Sequence, residues 1–164
     1  MPLVTIGVDS SGKWGDPPIW IVASRHSKTK GQICCTAYLS NEKYQSVKGS
    51  CKNWKDKFRA ILVFKVVSIV IYDRDIIIIH VDFHGKTREH VVSYLKKLFR
   101  EVYPRRFPKK PLKTEPDILF SNTKHSVEVK IADRKSKNLR LGVMPENIIA
   151  HIKDPSFDLE INSL

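Results

Sequence analysis

A chain of 164 residues, 41% hydrophobic and 28% charged, is long enough to bury one real core and excludes a disordered or low-complexity protein. The 29 Lys and Arg against 17 Asp and Glu give a formal net charge of +12, a field that attracts polyanions, of which nucleic acid is the commonest. The longest apolar stretch, residues 60–72, is interrupted by Lys65 and is too short to span a bilayer, so no membrane partner is expected.

Met1-Pro2-Leu3 leads directly into a strand pattern, without the basic and apolar regions of a signal peptide. The three cysteines, Cys34, Cys35 and Cys51, make no disulfide framework and contain no C-x-x-C spacing. Adjacent strand residues point to opposite faces, so Cys34 and Cys35 bridge each other poorly. A reducing, cytoplasmic setting and no disulfide-linked partner are the expectation.

In chain order, residues 4–9 alternate and are rich in β-branched side chains, which predicts a strand. Residues 10–18, with two Gly and two Pro, read as a turn-rich connection that places Asp9 at a tight turn. Residues 19–24 and 32–39 are two more strands across a basic hairpin loop, completing an antiparallel meander. From about Asn53 the period changes: Trp54, Phe58, Ile61 and Leu62 mark one face of a helix that runs into the β-branched stretch 63–70. Residues 76–82 are a near-continuous apolar run, the pattern of a strand buried on both faces. A second helix is predicted from about Thr87 to Val102, and a cationic, proline-rich loop over 104–116. A short strand follows at 117–120, and a last helix begins near Ala132-Asp133. Residues 1–154 form the domain. The tail 155–164, with alternating Phe157, Leu159 and Ile161, forms a small edge strand or docks on the surface.

The order β-β-β-α-β-α-β-α predicts an α/β domain: a five-stranded mixed sheet with helices on both faces. Within it, Asp9 interrupts an apolar strand and Asp82 ends the most hydrophobic one, where a carboxylate is costly unless a cation compensates it. Asp82 also suits a strand end or helix cap, and Asp133 suits the dipole at a helix N-terminus.

These three positions resemble the ribonuclease H-like superfamily. Asp9-Ser10-Ser11-Gly12 is similar to the D-E-A-G and D-E-S-G openings of ribonuclease HII and its relatives. Asp82 matches their central-strand aspartate, and Lys130-Ile131-Ala132-Asp133 is similar to the start of their final helix. The resemblance implies two-metal phosphodiester hydrolysis on two Mg²⁺ or Mn²⁺ ions, with Asp9 bridging and Asp82 and Asp133 flanking. Ser10 departs from the family glutamate. Glu42 is the candidate fourth carboxylate, although Asn41 and Glu42 also read as an ordinary helix cap and first-turn acid. His84 is placed to orient a water or phosphate, or is simply exposed.

Arg105, Arg106, Lys109, Lys110 and Lys113, with Lys130, Arg134, Lys135, Lys137 and Arg140, and with Lys52, Lys55 and Arg59, are candidate phosphate contacts; the helical lysines are otherwise a solvated face. Trp14 either stacks on a base or covers the sheet. The expected activity is a metal-dependent nuclease acting on RNA, DNA or RNA–DNA hybrid. The alternative is a ribonuclease H-like binding module that has lost the chemistry, as Ser10 would suit.

Overall fold

A computed structural model describes residues 3–82 and 88–164. The described residues form an α/β domain around a six-stranded mixed sheet with strand order β5-β4-β1-β2-β3-β6. Strands β1 (Leu3–Lys13), β2 (Asp16–Ser27) and β3 (Gly31–Leu39) form the expected antiparallel meander. Helices α1 (Asn41–Val47) and α2 (Trp54–Val70) lead to β4 (Ile76–Val81), which pairs parallel to β1. Helix α3 (Arg88–Lys97) continues through a π-helical turn at Leu98–Val102 into the short α4 (Tyr103–Arg106), and β5 (Asp117–Phe120) then joins β4 in parallel. Helix α5 (Val127–Arg140), β6 (Ile148–Lys153) and α6 (Asp158–Ile161) complete the chain.

Several sequence expectations need correction. The sheet has a sixth strand, because β6 pairs parallel to β3 at the far edge, while the tail beyond it is helical rather than extended. Strand β1 runs on to Lys13, and its turn lies at Trp14 and Gly15, so Asp9 sits mid-strand and not at a tight turn. Ser10 and Ser11 look like turn residues, yet cross-strand bonds to β2 keep them extended, in register with Ile21 and Trp20. Part of the loop predicted from residue 104 is helical: Pro104 occupies the first turn of α4, where its missing N–H costs nothing.

The two sheet faces differ. Val4, Ile6, Val8, Ile19, Ile21, Ile77, Ile79 and Val81 point into the main core beneath α2 and α3. Helix α2 is apolar nearly all round from Ala60 to Val70, which is why its β-branched half lacks a clear helical period. The opposite face is covered by α5, with Val22, Cys34 and Ala132 as a second small apolar cluster. Strand β4 is therefore not buried on both faces: Ile76, Ile78 and His80 are half-buried. As expected from strand alternation, Cys34 and Cys35 face opposite sides, and the cysteines are free thiols. No helix among the described residues is long and apolar enough to cross a membrane.

The tail is anchored by charge and ring contacts. Phe157 packs on Phe58 at 4.6 Å between ring centroids, and the buried Glu160 carboxylate accepts from Lys65 Nζ at 2.8 Å and from Arg106. Burial pushes the Lys65 ammonium below its ordinary pKa, so Glu160 is what keeps this cation tolerable inside. Glu160→Gln keeps an acceptor but removes the charge. It should cost about 2 kcal/mol in a urea melt. An unchanged midpoint would show that the Glu160 charge does not hold the tail to the fold.

Candidate active site

The three aspartates are brought together. Strands β1 and β4 pair in parallel with Val8 opposite Val81, and the Asp82 amide donates to the Val8 carbonyl at 3.4 Å. The next positions along each strand, Asp9 and Asp82, are therefore neighbours on one face of the sheet. Asp133 reaches them through α5. Gly7 lies directly beneath the first turn of this helix, where a Cβ would overlap the Glu128 carbonyl and come within 2.5 Å of the Val129 nitrogen. Four residues of helix advance about 6 Å and two residues of strand about 6.6 Å. Asp133, one turn beyond Val129, therefore arrives over Asp9, two residues beyond Gly7.

Helix α5 begins at Val127, earlier than expected, with Ser126 Oγ accepting from the Val129 amide at 3.2 Å. Asp133 is thus in the second turn, away from the dipole end it was expected to occupy. The sequence hid this start because Val127, Val129 and Ile131 alternate like a strand.

Asp9, Ser10, Gly12, Lys13, Trp14, Arg59, Asp82 and Asp133 line one open concavity of about 410 Å³. Asp9 is only 9% exposed, its Oδ1 accepts from the Ser10 amide at 2.8 Å, and its carboxyl shares a hydrogen bond with Asp133. Burial, that shared bond and the charges of Asp82 and Asp133 push the Asp9 pKa up to about 8. Desolvation is the largest cause. A carboxyl crowded by two others in a dry setting favours its protonated form. Among the described residues, no three His, Cys, Asp or Glu groups already close around one point as a metal cage. Asp133 also holds Lys137 Nζ at 3.0 Å, an exposed pairing four residues along the helix that is worth little. Hard oxygen donors of this kind suit Mg²⁺ or Mn²⁺.

The other predicted residues disperse. Glu42 is exposed in the first turn of α1, whose cap is Ser40, and it does not line the concavity. His84 lies outside the described residues. Trp14 is 8% exposed, with Arg59 over its ring at 5.2 Å and its carbonyl accepting from Tyr44 at 2.6 Å; it covers the core and offers no stacking face to a base. Arg106 is committed to Glu160, and Lys110 donates to the Ser68 carbonyl at 3.0 Å, so neither is a simple surface cation. Lys130 and Arg134 are exposed on α5 and Lys135 is half-buried there, while Lys52, Lys55, Arg105 and Lys109 are exposed elsewhere. The sequence had placed Arg59 among general phosphate contacts. Only the fold shows that α2 delivers it to the same concavity as the aspartates.

No protein-family model matches the chain, and no curated protein matches its sequence.

Proposed function

We propose that the protein is a divalent-metal-dependent phosphodiesterase of the ribonuclease H-like type, acting on nucleic acid. The convergence of Asp9, Asp82 and Asp133 on one concavity carries this reading. It is supported by the topology: an antiparallel β1–β2–β3 meander, then β4 and β5 joined in parallel through helical connections. On this reading β6 is an addition at the edge. Charge supports it too, since Lys13 borders the concavity and Lys130 and Arg134 stand exposed on α5, the helix that carries Asp133.

Asp9, Asp82 and Asp133 would hold the cation, which supplies Lewis acidity and a water acidified towards neutrality. The chain's own part is to position and to exclude. The β1–β4 pairing fixes two carboxylates side by side, α5 fixes the third, and burial of Asp9 keeps competing water off one oxygen. Backbone phosphates would meet Lys13, Lys130 and Arg134, contacts that carry no sequence preference.

The test is cleavage of end-labelled RNA, DNA and hybrid duplexes with Mg²⁺ or Mn²⁺. Cutting of at least one substrate, abolished by EDTA, is expected; no cutting of any would overturn the activity. In binding assays, Lys130→Ala with Arg134→Ala should weaken affinity on every sequence and lower the slope of log K against log salt by about 2. An unaltered slope would move the nucleic acid to another face.

A second reading is a binding module without chemistry. It is favoured by Ser10 in place of the family glutamate and by the Asp133–Lys137 pair. It predicts the same salt dependence with no metal-dependent cutting.

A further inference from the structure

The connection from α5 to β6 holds apolar side chains in water. Leu141 is 75% exposed and Val143 56%, and Met144 and Ile149 are exposed as well. They are not on a loose end. The Gly142 amide donates to the Leu139 carbonyl at 3.0 Å and the Val143 amide to the Asn138 carbonyl at 2.9 Å. With Gly142 at a φ of +86°, these bonds close α5 on a fixed left-handed turn. Such a turn usually packs the residue in Val143's place on an apolar side chain in the last turns of the helix. Here the positions within its reach are Asn138 and Lys137, so Val143 is left outward. The far end of the connection is tied too, since the Cys34 amide donates to the Asn147 carbonyl at 3.3 Å. Apolar side chains grouped and held outward in this way mark a contact surface.

Charge decides what that surface meets. Between residues 130 and 153 six cations, Lys130, Arg134, Lys135, Lys137, Arg140 and Lys153, stand against Asp133 and Glu146, a net charge of +4. A second copy meeting this surface across a two-fold axis would set like charges against each other. A lipid surface takes an apolar helix face, and α5 spends its own, Val129, Ala132 and Leu139, on the sheet. Nucleic acid offers phosphates for the cations and, wherever a base step is open, apolar base faces for the side chains. We propose that Leu141 and Val143 form an apolar wedge that enters an unstacked base step of a nucleic acid whose backbone lies along α5. The helix carries the chain about 12 Å from Asp133 to Leu141. That is about three or four nucleotide steps along one strand. The inference rests on the nucleic-acid reading and names the substrate feature: a duplex with a distorted or open step beside the aspartates.

Fluorescence anisotropy of the full chain in EDTA tests this without turnover, on a labelled DNA duplex that is either fully paired or carries a small bulge. Wild type should bind the bulged duplex about tenfold more tightly, because an open step spares the cost of unstacking. The double variant Leu141→Ser, Val143→Ser should lose that tenfold preference and bind the paired duplex as wild type does. Its slope of log K against log salt should be unchanged, since no cation is removed. Both side chains are exposed, so the thermal melt by circular dichroism should not move; a lowered midpoint would show that they serve the fold instead. Equal binding of the two duplexes by wild type, or an unaltered preference in the variant, would overturn the wedge. A wild-type dimer in sedimentation that the variant dissolves would assign the surface to a second copy. Binding to phosphatidylserine vesicles that the variant loses would assign it to lipid. A bulge preference without metal-dependent cutting would overturn the activity alone, and cutting without a bulge preference would overturn the wedge alone.

Discussion

Asp9→Asn is expected to abolish metal-dependent cleavage, by a factor of about 10³ or more, while making the protein more stable at neutral pH. Both effects come from the same burial. The carboxyl's folded-state pKa lies near 8 against an ordinary value of 3.8, chiefly through desolvation and then through Asp133 and Asp82. Because the folded value is raised, the folded protein holds this proton more tightly than the unfolded chain. The stability so gained is complete below about pH 4 and is lost as pH climbs towards 8. Each pH unit in that window is worth up to about 1.4 kcal/mol. Asparagine mimics the neutral acid and never pays the ionisation cost, so the variant should gain on the order of 3 kcal/mol at pH 7, or roughly 6–12 °C in Tm. At pH 4 the two proteins should melt together. On the proposed reading, in which Asp9 is a ligand, Mn²⁺ should raise the wild-type Tm and leave the variant's unmoved. Melts across pH 4–8, with and without Mn²⁺, check this. A variant less stable than wild type at pH 7 would show that Asp9 is not under electrostatic strain.

Gly7→Ala is expected to destabilise the fold by about 3 kcal/mol or more and to reduce cleavage about a hundredfold. On strand propensity alone the change looks favourable, because Ala lowers the entropy of the unfolded chain. The added Cβ, however, would meet backbone and not a flexible side chain: the Glu128 carbonyl and the Val129 nitrogen. Helix α5 must then ride higher on β1, and Asp133 is carried away from Asp9. Urea denaturation measures the stability loss, and the pH dependence of the melt measures the lost Asp9–Asp133 coupling. Wild-type stability in Gly7→Ala would mean that α5 does not cross β1 at this point.

Some of the fold and site was legible in residue order. The three antiparallel strands, the apolar β4 and the aspartates at 9 and 82 all announce themselves by period two or by a polar residue ending an apolar run. Helix α5 did not, because Val127, Val129 and Ile131 imitate a strand, and its true inward face of Val129, Ala132, Ser136 and Leu139 is visible only when packed. Strand β6 was missed because its partner, β3, lies more than a hundred residues earlier in the chain, and an edge strand with one face only half-buried and the other exposed carries a weak pattern. Glu42 drew attention through its neighbours in sequence, but it stands at an exposed helix start.

The amino-acid sequence by itself determined the α/β class, the basic surface and the standing of Asp9 and Asp82, since these follow from local periodicity, composition and the cost of a carboxylate in an apolar strand; Asp133 was singled out by the order of the three aspartates and the resemblance it carries. Only the tertiary structure decided that the aspartates meet, that Gly7 is the contact allowing it, and that Arg59 shares their concavity while Glu42 does not. Those facts depend on where α2 and α5 cross the sheet. A crossing is set by packing between segments some fifty to a hundred and twenty residues apart, which no local pattern records.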